Sequence, residues 1–76
     1  MNNELFNKAQ SLYDAKDFQG ALMAFTQCLQ DGAAPLAPGE AGRLYHQIGN
    51  CLVKLKDANE AIQAYTQALA DDDYAM

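Results

Sequence analysis

Two stretches of the chain, forty residues apart, carry the same pattern and decide the fold. Residues 12–31 read LYDAKDFQGALMAFTQCLQD, and residues 52–71 read LVKLKDANEAIQAYTQALAD. Nine of the twenty aligned positions are identical: Leu12/Leu52, Lys16/Lys56, Asp17/Asp57, Ala21/Ala61, Ala24/Ala64, Thr26/Thr66, Gln27/Gln67, Leu29/Leu69 and Asp31/Asp71. A period of this size marks stacked supersecondary units, which form extended binding surfaces more often than active sites.

Apolar periodicity predicts four helices in and around these stretches. Apolar residues recur at three- and four-residue steps over residues 4–15, 18–30, 40–55 and 58–70, which is the spacing of a helix with one buried face. Asn2 or Asn3 is a suitable N-cap for the first helix, and Asp17 for the second. Asp57 and Glu60 have the spacing of a capping box at the start of the fourth.

The remaining segments are a loop and a chain end. Residues 32–39 contain both prolines and two of the five glycines, and therefore predict a loop. Asp72 or Asp73 is a candidate cap for a fifth helix that starts at Tyr74 and reaches Met76 at once. We therefore expect one small all-α domain over residues 1–76.

The second helical pair carries a specific motif. Its first helix contains Tyr45-x-x-Ile48-Gly49-x-x-Leu52, and its second contains Ala61-x-x-x-Tyr65-x-x-Ala68. The first pair has small residues at the matching positions, as the pairs Ala9/Gly49, Ala21/Ala61 and Cys28/Ala68 show. This pattern resembles the tetratricopeptide repeat. The resemblance implies two helix–turn–helix repeats, over residues 2–35 and 42–75, with a loop insertion over residues 36–41.

The chain departs from the pattern of that family at three places. The family's repeat is about 34 residues long, whereas the spacing here is forty. Lys16 and Lys56 stand at the turn position where the family usually has glycine, and Asp73 stands where it usually has proline. We expect the insertion to loosen the packing between the two units, and we expect Gly49 to have a packing role.

Composition disfavours several classes of function. The net charge is −5, and the five Lys and Arg residues form no basic run, so binding to nucleic acid or to an anionic membrane is not expected. No apolar stretch reaches the roughly 18 residues that a membrane span needs. The first residues lack the pattern of a signal peptide, so a cytoplasmic protein is expected. Cys28 and Cys51 are expected to be inert, partly buried thiols.

Residues that could perform chemistry are few. Ser11 is the only serine and His46 the only histidine, and no nucleophile or phosphate-binding motif is present. His46, Cys28 and Cys51 lack the spacing of zinc ligands. The acidic run 71–73 is interpreted as a solvated helix end, with one aspartate acting as a cap. We therefore expect no enzymatic activity, no cofactor and no metal site.

The resemblance implies a concave groove lined by the first helix of each repeat. On the second unit, the groove candidates are Arg43, His46, Asn50 and Lys54; on the first unit, they are Phe6, Gln10 and Tyr13. Two interpretations are open for the aromatic pair, which either packs against neighbouring helices or forms an apolar floor for a partner. His46 is either a solvated residue or a groove contact.

Two functions are compatible with this sequence. The first is a protein–protein interaction module, a scaffold or adaptor that binds a peptide or helix in the groove and forms the N-terminal part of a longer repeat protein. The alternative is a small structural or chaperone-type subunit that self-associates, or pairs with a partner, through the uncapped edge of the fourth helix. That edge is predicted to contain Ile62, Tyr65 and Leu69.

Overall fold

The computed structural model describes residues 1–75, except for the side chain of Ala75, and its described part is all-helical. The helices are α1 (Asn3–Asp14), α2 (Phe18–Gln30), α3 (Glu40–Lys54), α4 (Ala58–Leu69) and α5 (Asp72–Ala75). The all-α fold class is thereby confirmed. The four main helices begin and end within one residue of their predicted bounds, which is within the scatter of helix assignments.

The turns of the two helix pairs have the same hydrogen bonds. The N–H of Asp17 donates to the carbonyl of Leu12 at 2.8 Å, and the N–H of Asp57 donates to that of Leu52 at 2.9 Å. With the bonds from Lys16 to Tyr13 and from Lys56 to Val53, each turn is a Schellman motif. This motif needs a left-handed residue, and Lys16 (φ 66°) and Lys56 (φ 64°) take that conformation.

Asparagine or aspartate side chains cap the start of α1, α2 and α4, whereas the N-cap of α3 is Gly39, without a side-chain cap from the described residues. Asn2, Asp17 and Asp57 accept hydrogen bonds from Leu5, Gly20 and Glu60, respectively. The choice between Asn2 and Asn3 is thus resolved in favour of Asn2. The capping box before α4 is only half formed, because the N–H of Asp57 is already donated to Leu52 in the preceding turn.

The fifth helix differs from its prediction. It begins at Asp72 rather than Tyr74, and its cap is Asp71, neither Asp72 nor Asp73. One carboxylate oxygen of Asp71 accepts the N–H groups of Asp73 at 3.1 Å and Tyr74 at 3.3 Å. The prediction for Met76 lies outside the described residues.

One apolar core runs through both helix pairs. Phe25, Cys28, Leu44 and Cys51 are its largest fully buried side chains, and they come from α2 and α3. The core cluster also contains residues of α1 and α4. The loop does not separate the units, because Leu36 packs against this core.

The start of the chain holds this loop in place. The ammonium group of Met1 donates to the carbonyl of Pro35 at 2.9 Å and to a carboxylate oxygen of Glu40 at 3.0 Å. The same oxygen accepts the N–H of Ala37 at 2.7 Å. These hydrogen bonds lower the pKa of Glu40, the bond from Ala37 having the largest effect.

The left-handed lysines predict that glycine stabilises both turns. For a residue with a side chain, this conformation costs about 1–2 kcal/mol. Glycine avoids this cost, but the greater entropy of glycine in the unfolded state cancels part of the gain. We expect Lys16→Gly and Lys56→Gly each to raise the free energy of unfolding by about 0.5–1 kcal/mol in urea titrations. Lys16→Ala is the matched control, because it removes the side chain beyond Cβ and keeps the strain. Equal stability of the alanine and glycine variants would contradict the interpretation.

Glu40 predicts an acid-dependent loss of stability. Because its pKa is lower in the folded chain than the ordinary value of 4.5, its contribution is complete above that value and is lost as the pH falls through the folded-state pKa. We expect Glu40→Gln to be less stable than the parent chain at pH 7, with the difference shrinking below about pH 4. Thermal melts of both chains across this range test the prediction; a constant difference would disprove it.

Candidate functional site

The predicted groove lies on the side of α3 that carries polar and charged residues. Arg43, His46 and Lys54 are exposed there, and Asn50 is half-buried. Helical spacing places all four on one side, away from the buried residues Leu44 and Cys51. The described structure thus presents these four candidates on a common surface, while their role in binding stays a prediction.

Phe6 and Arg43 connect the two first helices. The Phe6 ring is buried and meets the edge of Phe25 at a centroid distance of 5.4 Å. The Arg43 guanidinium carbon lies 4.5 Å from the Phe6 ring centroid, within the range of a cation–π contact. Of the two open interpretations, packing therefore describes Phe6 better, because Arg43 covers its outer face.

Tyr65 reaches from α4 across α3 to the groove. Its hydroxyl donates to the side-chain oxygen of Asn50 at 2.6 Å. The ring passes so close to Gly49 that a Cβ there would lie 2.6 Å from a ring carbon. Partial burial raises the pKa of Tyr65, and nearby Tyr13 adds to the shift. Gly49 thus has the expected packing role.

His46 lies beside two tyrosines. Its ring centroid is 5.7 Å from that of Tyr65 and 6.0 Å from that of Tyr74, which belongs to α5. Tyr74 was not among the predicted groove residues. Sequence spacing did not indicate it, because Tyr74 and its neighbour in space, His46, lie far apart along the chain and on different helices.

The remaining first-unit candidates contribute less to this cluster. Tyr13 is half-buried and packs against Phe18 at a centroid distance of 5.2 Å. Gln10 is half-buried as well. The described structure therefore brings His46, Asn50, Tyr65 and Tyr74 together, and it places Phe6 with Arg43 beside them.

The predicted edge of α4 divides into two parts. Ile62 is 63% exposed and Leu69 is 71% exposed. Tyr65, predicted to share this edge, is instead partly buried against α3. Its hydroxyl group faces the groove, whereas the two aliphatic side chains face away from α3.

In each helix pair, one aspartate after the second helix accepts a hydrogen bond from the start of the first. Asp31 accepts the side-chain N–H of Asn2 at 3.3 Å, and Asp71 accepts the backbone N–H of Gly42 at 2.8 Å. The two acceptors, Asp31 and Asp71, are forty residues apart, and so are the two donors, Asn2 and Gly42. The sequence offered one signal for this contact, the identity of Asp31 and Asp71, but nothing in it names the partners.

Shallow clefts occur at matching places in the two helix pairs. One of 260 Å³ lies between α3 and α4, with Ile48, Leu52 and Ala64 among its lining residues. The other, of 230 Å³, lies between α1 and α2, and its corresponding residues are Lys8, Leu12 and Ala24. Both clefts are open, so neither encloses a small molecule.

The thiols are buried in the core. Burial raises the pKa of the Cys51 thiol to about 11 and also raises that of Cys28, where the Asp31 carboxylate adds to the effect. Both thiols are therefore protonated at neutral pH and are weak nucleophiles. Within residues 1–75, no three His, Cys, Asp or Glu side chains are grouped to hold a metal ion.

The repeated turn, cap and aspartate contacts define the class of protein: an α-helical repeat built from helix–turn–helix units. Comparison with known families agrees, because residues 42–70 match the model of the tetratricopeptide repeat. The second helix pair is a tetratricopeptide repeat. No curated protein and no solved structure matches the chain significantly. The family match does not extend to residues 1–41, whose status as a further repeat stays a prediction.

The close approach of Tyr65 to Gly49 predicts a large cost for a single methyl group. We expect Gly49→Ala to lower the free energy of unfolding by about 1–3 kcal/mol, because either Tyr65 or α3 must shift. Gly32→Ala is the control, since no atom of the described residues, apart from the two chain neighbours, lies within 4 Å of a Cβ at that site. Equal urea midpoints for the two variants would show that the α3–α4 contact is not as tight as described.

Proposed function

We propose that residues 1–76 form a single domain of two tetratricopeptide repeats that binds a peptide or helix of another protein in its concave groove and has no catalytic activity of its own. Stacked repeats present extended concave surfaces for such binding. Further, no helix of the described residues is long and apolar enough to cross a membrane. A cytoplasmic protein that binds no nucleic acid is part of the same proposal.

The observation that carries the proposal is the chemistry of the free side of α3. Arg43, His46 and Lys54 are exposed on it, whereas the chain as a whole has a net charge of −5. The carboxylate at the start of α3, that of Glu40, is already paired with the ammonium group of Met1. Two of these side chains, Arg43 and Lys54, carry positive charge on the same side of α3 that Tyr65 reaches, and this combination favours a ligand that has both acidic and apolar side chains.

The groove is tested with exposed residues that make no side-chain hydrogen bond within the described part of the chain. Asn50 accepts a hydrogen bond from Tyr65, so its replacement would change packing as well as the surface. His46 and Lys54 are better choices because both side chains are exposed, although the His46 ring also lies beside Tyr65 and Tyr74. A random-peptide phage library selected on the immobilised chain supplies a ligand, whose affinity for each variant is then measured by calorimetry.

We expect the double variant His46→Ala/Lys54→Ala to bind the selected peptide at least about tenfold more weakly, a loss of about 1.4 kcal/mol. Its circular dichroism spectrum should be unchanged. The control Lys8→Ala/Lys16→Ala truncates two exposed basic side chains outside the groove and should bind normally. Equal affinity of the two double variants would place the binding site outside the groove.

A second candidate function rests on the exposed face of α4. In this alternative, the chain is a small structural or chaperone-type subunit that self-associates, or pairs with a dedicated partner, through the exposed face of α4. Exposed aliphatic residues are common singly, but Ile62 and Leu69 lie two helical turns apart on one face. Their counterparts Leu22 and Leu29 are partly buried against the core, which is the observation that favours this candidate.

A further inference from the structure

Helices α2 and α4 present similar apolar residues in the same register, and the two aliphatic ones are covered only in α2. Leu22, Phe25 and Leu29 of α2 correspond to Ile62, Tyr65 and Leu69 of α4. Phe25 is fully buried, and Leu22 and Leu29 pack against the core. Because α3 packs on α2, the internal junction shows what this kind of face binds: an amphipathic helix.

Helix α3 presents a defined stripe to that face. Leu44, Ile48 and Cys51 lie at positions i, i+4 and i+7, and they are 0%, 8% and 0% exposed. They lie on the side of α3 opposite Gly42 and Gly49, which contact Tyr74 of α5 and Tyr65 of α4. Leu44 and Cys51 of this stripe lie in the buried core with Phe25 and Cys28 of α2, and Ile48 also borders the cleft toward α4.

Helix α1 lacks the corresponding stripe. The residues forty positions before Leu44, Ile48 and Cys51 are Glu4, Lys8 and Ser11, and all three are exposed. A second copy of the chain thus has no apolar first helix to place on α4. The domain has one polar end, at α1, and one apolar end, at α4.

Helix α5 leaves the apolar end uncovered. Its residues correspond in register to residues 32–35 of the loop, not to α3, and Tyr74 packs over Gly42 of α3. Ile62 and Leu69 keep exposures of 63% and 71% with α5 in place.

Charge defines the occupant further. Asp57 and Glu60 lie at the start of α4, and Asp72 and Asp73 lie just beyond its end, all exposed. Contacts from the start of α1 to Asp31 and Glu40 place the end of α2 beside the start of α3, so these helices are antiparallel. A helix bound antiparallel to α4 places its N-terminus, the positive end of its dipole, near Asp72 and Asp73.

We infer that the exposed face of α4 binds an amphipathic helix of a partner protein, with apolar residues at i, i+4 and i+7 and basic residues near both ends. This inference rests on the second proposed function and names the chemistry of its partner. The bound helix covers Ile62 and Leu69, whose counterparts Leu22 and Leu29 pack against the core in α2.

The chain itself supplies the probe and its control. The probe is a synthetic peptide of residues 40–54, lactam-bridged on its polar side and shown to be helical by circular dichroism. The control peptide, residues 3–14, is bridged in the same way and carries Glu4, Lys8 and Ser11 at the corresponding positions. Each peptide is titrated under reducing conditions into the intact chain, with the methyl resonances of Ile62, Leu69, Leu22 and Leu29 followed by NMR.

We expect the probe to shift the Ile62 and Leu69 resonances with a Kd on the order of 100 µM, as suits a small interface. The control peptide should produce no shifts. Leu69→Glu should weaken binding of the probe at least about tenfold. Met23→Glu is the matched variant, because it places a charge on another exposed apolar side chain, in α2, and it should leave binding unchanged.

Three results would overturn the inference. They are an absence of shifts from the helical probe, shifts at Leu22 and Leu29 in place of Ile62 and Leu69, and equal binding of both peptides. Light scattering on the chain alone adds a fourth. A concentration-dependent dimer that Leu69→Glu abolishes would show that the second proposed function holds with a second copy as occupant, so that function can survive when this inference fails.

Discussion

The burial of α3 between α2 and α4 is the constraint on which the rest of the structure depends. One side of this helix is apolar and fills the core with Leu44 and Cys51, both fully buried. The opposite side has glycine at two positions, where the side chains of Tyr65 and Tyr74 contact the backbone. Because both of these sides are occupied, the side that carries His46 and Lys54 is left to solvent, and the position of the groove follows from packing.

Local features of this fold could be predicted from the sequence because they depend on neighbouring residues. The caps at Asn2, Asp17 and Asp57 are of this kind, as are the helix bounds. The contact from Asp71 to Gly42 could not be predicted, since it joins residues 29 positions apart. The position of the α5 cap was missed for a related reason: three successive aspartates are equivalent as sequence, and tertiary contacts select among them.

The candidate site was predicted less completely than the fold. Helical spacing was sufficient to group Arg43, His46, Asn50 and Lys54, because one helix carries all four. It was insufficient for Tyr65, which periodicity assigns to the outer edge of α4 with Ile62 and Leu69. Periodicity gives the direction of a Cα–Cβ bond, but a long side chain beside a glycine can cross its neighbour. The hydrogen bond from Tyr65 to Asn50 is the result of that crossing.

The polar surface of α1 has a consequence for the number of molecules that one chain can join. Repeat units with two apolar ends can stack head to tail without limit and form open filaments. Here Glu4, Lys8 and Ser11 are exposed at one end, so such stacking stops after a single addition. An end-on association through the proposed α4 surface would therefore have a valency of one, with the chain as a terminus and not as a link in a polymer.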